Sequence, residues 1–240
     1  MPTLYLKVGA NLRDELYRLL WLASRLPVPQ VELFAEQDGM EFLLLRELPG
    51  RSADYLGWQK EADRVVNILG EAIRALHRIN SSDCPFDASI PQLLVKARHV
   101  VECGHIKPSE FSQAYRHLTP IQVMHHILCL LPLKTAAVFT HGDCCLPNII
   151  ITPDGQFGFV DVGMAGTSDP WRDLALISRS IRRNLGAQWV EKFFDCYGVE
   201  IDSHRMEFFA YLDQLVMARG PVDVFLFPEN YTSPMRIPQC

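Results

Sequence analysis

The sequence predicts an α+β chain, with strands gathered near its start and around one central loop and helices over most of the rest. Three observations carry this. Two strand–turn–strand patterns hold an Asp-Gly step, long segments repeat apolar residues at helical spacing, and the composition suits a packed core. Of 240 residues, 48% are hydrophobic and 21% charged, which excludes a disordered or low-complexity chain.

Leu4 to Val8 is a short β-like run, and Asn11 is positioned to cap a helix whose stripe is Leu12, Leu16, Leu19, Leu20, Ala23 and Leu26, stopped by Pro27. Val31–Phe34 and Phe42–Leu45 read as strands joined through Gln37-Asp38-Gly39. Leu48-Pro49-Gly50 breaks the pattern. A long helix follows from Glu61 to Ile79, buried along Val65, Ile68, Leu69, Ala72, Leu76 and Ile79. Residues 90–132 read as mostly helical, interrupted at Pro108 and Pro120. Val138–Thr140 is a strand, and Asn148–Thr152 with Phe157–Asp161 frame a second turn at Pro153-Asp154-Gly155. Three helices then cover 173–185, 187–197 and 203–216. Pro221, Pro228, Pro234 and Pro238 predict no regular structure in the tail.

Charge excludes one class of partner. Residues 1–140 hold 15 acidic and 15 basic side chains, whereas 141–240 hold 13 and 8, so there is no basic stripe for nucleic acid. The acidic excess suits a cationic ligand. Neither a secretory leader nor an apolar run long enough to span a bilayer is evident, so the chain reads as cytoplasmic, with no membrane partner. Seven cysteines, with Cys144 and Cys145 adjacent, fit reduced thiols better than a disulfide framework.

The chemistry concentrates in His141-Gly142-Asp143-Cys144-Cys145-Leu146-Pro147-Asn148, followed after a hairpin by Asp161-Val162-Gly163. This is the spacing of a kinase catalytic loop and its metal-binding turn. Nucleotide phosphates need a hard cation held by hard oxygens, which Asn148 and Asp161 can supply as ligands for Mg2+. An attacking hydroxyl needs a carboxylate to orient it and take its proton, which is the role for Asp143. Upstream, Lys7 ends an apolar strand and Glu15 lies on the next helix, as required for a phosphate-binding lysine held by a carboxylate. His125, His126 and Cys129 have helical spacing but lack further ligands in sequence, and read as a partly exposed face. His141 reads as a loop-orienting residue, Cys144 and Cys145 as products of loop geometry, and Trp21, Trp171 and Trp189 as core anchors.

Leu76-His77-Arg78-Ile79, Ser82-Asp83-Cys84-Pro85-Phe86, Phe159-Val160-Asp161-Val162-Gly163, Gly166, Asp169 and Asp173-Leu174-Ala175 join these motifs in order. Together they resemble the aminoglycoside 3'-phosphotransferases, the kanamycin kinases, from about Leu4 to Leu215. The resemblance implies a protein-kinase-like two-lobed fold: a truncated small β lobe with its hinge over 1–48, a large helical catalytic and substrate lobe over 49–220, and a Pro-rich tail over 221–240. It implies ATP and Mg2+ as cofactors, with Lys7 on the α and β phosphates, Glu15 orienting it, and the hinge near Arg46 to Leu48 meeting adenine. Asp143 would be the base, Asn148 and Asp161 the metal ligands, and Asp173 and Arg179 supports. The implied acceptor is a hydroxyl, the 3' one first, of an aminoglycoside bound by Asp169, Asp213 and Glu110, in a monomer or weak dimer. The alternatives are a kinase of another small-molecule alcohol and a truncated non-catalytic relative.

Departures from the family pattern carry their own expectations. Only six residues precede Lys7, where the family places two strands and a phosphate-covering turn. This predicts an open sheet edge beside Lys7, lower solubility and weaker ATP alignment. Met164 stands where an arginine is usual, Arg183 and Asn184 where acidic residues are common, and Gln214 where a glutamate is expected, each weakening a carboxylate-lined site for a polyamine.

Overall fold

A computed structural model describes residues 3–216 and the segment 222–228. The chain opens with β1 (Thr3–Gly9), α1 (Leu12–Leu22), β2 (Val31–Gln37) and β3 (Met40–Arg46). The Asp38-Gly39 turn has φ of 53° and 76°, the left-handed pair that a two-residue hairpin requires. β3 pairs with both β2 and β1, and Lys7 lies opposite Leu43. Leu43 and Leu45 turn their side chains into the core, where Leu12, Leu19 and Leu22 of α1 join the same cluster.

Two details of α1 correct the sequence-based expectation. Asn11 takes a left-handed conformation at φ 64° and makes no side-chain cap, and the helix ends at Leu22 rather than at Pro27. Arg25 and Leu26 instead donate their N–H groups to the Leu22 carbonyl, closing a turn before the proline acts. Leu20 is 58% exposed, because the buried stripe is narrower than its run of leucines.

After the two-residue strand β4 (Arg51–Ser52), helices dominate: α2 (Ala62–His77), α3 (Ile90–Glu102) and α4 (Pro120–Cys129). Pro120 occupies the first turn of α4, and Thr119 caps it by accepting from the Gln122 N–H. Between α3 and α4 lie two short 3-10 turns. The strand β5 (Val138–Thr140) pairs with β8 (Gly166–Ser168), while β6 (Ile149–Ile151) and β7 (Phe157–Phe159) form the second hairpin. Helices α5 (Trp171–Asn184), α6 (Trp189–Tyr197) and α7 (Ser203–Val216) complete the body. Apolar faces of α2, α5, α6 and α7 meet in one core around Leu69, Ile73, Ile177, Phe193 and Phe208. No described helix is long and apolar enough to cross a membrane.

The tail overturns two expectations. Val222–Pro228 forms a strand, β9, which pairs antiparallel to β1 along its whole length and places Val224 opposite Lys7. The sheet order is β2-β3-β1-β9, so the edge of β1 expected to be open is covered. The proline count concealed the reason: Pro221 and Pro228 bracket Val-Asp-Val-Phe-Leu-Phe, a window of high β-propensity without a proline. Ending the chain at Gly220 is therefore expected to speed amide exchange across residues 3–9 while leaving α5 and α7 protected. Exchange of β1 that does not change on truncation would show that this pairing contributes nothing in solution.

Candidate active site

The site is a cleft of about 690 Å³ between the β-sheet and the loops that follow β5 and β7, within the size range of small-ligand sites. Tyr5, Lys7, Leu45 and Val224 line it from the sheet, and Pro147, Ile150 and Asp161 from the opposite side. Lys7 Nζ donates to Glu15 Oε1 and Oε2 at 2.7 and 2.8 Å, and to Asp161 Oδ1 at 3.2 Å. Glu15 is buried at 4% exposure, so this is a charge pair largely removed from water. Two carboxylates, one on the next helix and one 154 residues along the chain, thus converge on the Lys7 ammonium.

The catalytic-loop segment is fixed by its backbone. Asp173 Oδ2 accepts from the His141 N–H at 2.7 Å and its Oδ1 from the Gly142 N–H at 2.8 Å, while His77 Nε2 lies 3.1 Å from Oδ2. Burial alone would raise the Asp173 carboxyl, but the hydrogen bonds from His77 and the Gly142 N–H hold it below its ordinary value. His141 is fully buried: its Nε2 faces the Val160 carbonyl at 2.9 Å and its Nδ1 the Asp143 N–H at 3.3 Å. These partners assign the neutral tautomer protonated on Nε2. It orients the loop and leaves Asp143 half-buried.

Gly142 has φ +82°, and a Cβ there would collide with the Met164 carbonyl and the buried Arg172 guanidinium. Gly142→Ala should therefore lower stability by about 1–3 kcal/mol and reduce turnover together. A variant with wild-type unfolding midpoint and rate would refute this account of the turn.

Asn148 Nδ2 donates to the Asp143 carbonyl at 2.9 Å, which orients the amide and makes its oxygen the atom offered to a cation. Asp161 adopts φ 56°, a left-handed conformation unusual outside glycine. An amide oxygen and a carboxylate form a hard donor set that fits Mg2+. The thiols beside Asp143 are held in the weakly nucleophilic protonated form: burial and the Asp143 charge push Cys145 up to about 12, and burial raises Cys144 well above its ordinary value.

At the other end of the cleft lies the cradle expected for adenine. The Arg46 N–H is spent on the Gln30 carbonyl and the Glu47 N–H on that of Thr3, each at 2.8 Å, and Arg46 Nε binds Glu32. Leu48 is the first residue beyond this pairing.

The three acceptor candidates sit in different settings. Asp169 has no exposed side-chain surface; it accepts from the Trp171 and Ala136 N–H groups and from Arg205 at 3.3 Å. That arrangement argues against direct contact with an acceptor. Glu110 is exposed and closes its own turn by accepting from the Lys107 N–H. Asp213 pairs with Arg179 at 2.6 Å; burial raises its carboxyl, opposed by Arg179 and reinforced by the nearby Asp143 charge.

Sequence reasoning missed several contributors. Gln214 Oε1 accepts from both Ser112 N–H and Oγ, at 2.9 and 2.7 Å, tying the segment after α3 to α7. Ser180 Oγ accepts from the Leu146 N–H and steadies the loop from α5. Such long-range clasps leave no local pattern to read.

Comparison with known proteins identifies the family and the fold. Residues 7–209 match the phosphotransferase enzyme family (APH). An aminoglycoside 3'-phosphotransferase of Niallia circulans is 31% identical over 206 residues, spanning 85% of this chain and 78% of that protein. The corresponding enzyme of Enterococcus faecalis is 31% identical over 82% of this chain and 76% of its own. The aminoglycoside phosphotransferase APH(3'')-Id of Streptomyces rimosus, solved with ADP and streptomycin, superposes with a TM-score of 0.80 at 29% identity, covering 89% of this chain and 87% of that one. With the family's match running from the cleft lysine into the last helix of the body, the chain belongs to the APH phosphotransferase enzyme family and has its kinase-like fold.

Proposed function

We propose that the chain transfers the γ-phosphoryl group of ATP to a hydroxyl of an aminoglycoside, the 3'-hydroxyl first. The observation that carries this is the convergence of Lys7, Glu15 and Asp161 on one side of the cleft, with Asn148 bound to the backbone of Asp143 beside them. Lys7, held by Glu15, offers a positioned positive charge to the phosphates. Asn148 and Asp161 would hold Mg2+, which neutralises charge on the transferring group. Asp143 accepts a hydrogen bond from the acceptor hydroxyl, aligns it and takes its proton as the bond to phosphorus forms. Leu48 at the hinge and Val224 on β9 bound the space for the base. The cationic acceptor is drawn by Asp213 and by the acidic excess of the C-terminal hundred residues.

A second regiochemistry has a specific observation behind it. The 3'-enzymes above and the 3''-type enzyme of Streptomyces rimosus are similar to this chain at 31% and 29% identity, too close to rank. An acceptor panel separates the two. With kanamycin, streptomycin and a 3'-deoxy aminoglycoside, the 3' reading predicts ADP release with kanamycin alone. Release with streptomycin or with the 3'-deoxy compound would move the proposal to another hydroxyl.

A further inference from the structure

Outside the cleft, one cluster of ligand-type side chains is assembled by the backbone itself, at the C-terminal end of α3. His99 and Cys103 stand four residues apart on the helix and share a face; Cys103 Sγ lies 3.5 Å from His99 Nδ1. Gly104 then takes φ +65°, donating to the Val101 carbonyl at 3.2 Å, and His105 donates to that of Val100 at 3.1 Å. These two bonds are the Schellman closure of a helix, and they fold His105 back over its last turn. The His105 ring meets the His99 ring edge-on, with centroids 5.8 Å apart. One donor atom from each of the three side chains lies within 4.8 Å of the others.

We propose that His99, Cys103 and His105 form a zinc-type divalent cation site. Two imidazoles and a thiolate are the donors that zinc selects over harder cations, and three protein ligands leave a fourth position for water. All three side chains are exposed, so the ion enters from solvent without rearrangement of the core. The α3 C-terminus adds carbonyl dipoles that favour a cation. The molecule carries an internal comparison. His125 and Cys129 repeat the same spacing on α4, with Sγ 3.8 Å from Nδ1, yet no third donor joins them among the described residues. The role is structural: the residue after His105 is the buried Ile106, and Phe111 beyond it is fully covered, so an ion on His105 secures the segment that Gln214 clasps at Ser112.

The test uses the full chain loaded with Zn2+ and dialysed against buffer of low micromolar free zinc, with bound metal measured per chain. Co2+ is then titrated into the metal-free protein to look for a thiolate-to-cobalt absorption band. One equivalent of zinc is expected, with the cobalt band, in wild type and Cys129→Ser. Cys103→Ser should lose the band, and His105→Ala should weaken zinc at least tenfold. Because these side chains are exposed, each variant's metal-free Tm should match wild type, and only wild type and Cys129→Ser should gain Tm with zinc. Zinc that is not retained, or is retained equally by Cys103→Ser, or is lost in Cys129→Ser, overturns the site.

Discussion

Replacing Asp143 with alanine is expected to lower kcat by about 10²- to 10⁴-fold while leaving the KM for ATP nearly unchanged. The loop around Asp143 is held through backbone groups: Asp173 binds the two preceding N–H groups, and Asn148 donates to the Asp143 carbonyl. Removing the carboxylate therefore removes none of these bonds. What is lost is the group that orients the acceptor hydroxyl, a contact that matters in the transition state and not in nucleotide binding. Steady-state kinetics with varied ATP, beside a thermal melt, check both halves. A variant whose kcat falls less than tenfold would remove Asp143 from the chemistry, and one with a lowered Tm would make its role structural.

The largest effect on stability is expected at Asp173. Asp173→Asn should destabilise the fold by about 3–5 kcal/mol, because the amide presents a donor where the carboxylate met only N–H groups, inside a completely buried network. In a chain of this size that corresponds to a fall in Tm of roughly 10 °C. The pH dependence follows from the direction of the shift. The folded Asp173 carboxyl is held below its ordinary value of 3.8, so its contribution is present above that value and lost as pH falls through the lower folded one. Wild type should therefore lose stability on acidification below the ordinary carboxylate range more steeply than Asp173→Asn. Urea unfolding at stepped pH reads the difference, and parallel curves would contradict it.

Much of this architecture was legible because its signals are local. The stripe of Val65, Leu69, Ala72 and Leu76 reads as a helix from spacing alone, and Asp38-Gly39 reads as a hairpin because few other residues accept both left-handed positions. The loop from His141 to Asn148 could be read because phosphoryl transfer restricts which side chains serve at which separation. Other features depend on partners far along the chain. Asp169 is an acidic residue in sequence, but the Arg205 that covers it is 36 residues away. Leu20 looks as apolar as Leu19, and only packing of α1 decides which is buried. β9 was hidden by counting prolines instead of noting where they fall. Its partner is more than two hundred residues upstream, and pairing at that distance leaves no trace in local composition.

The measurement that bears most directly on the central claim is a single-turnover experiment. The full 240-residue chain is mixed with γ-labelled ATP, Mg2+ and kanamycin, and the label is followed into the antibiotic. The account predicts a monophosphorylated product from the wild-type chain, requiring Mg2+, and a transfer rate lower by about two to four orders of magnitude in Asp143→Ala. A folded, ATP-binding chain that leaves kanamycin unlabelled would contradict it, as would label transfer that proceeds equally without Asp143.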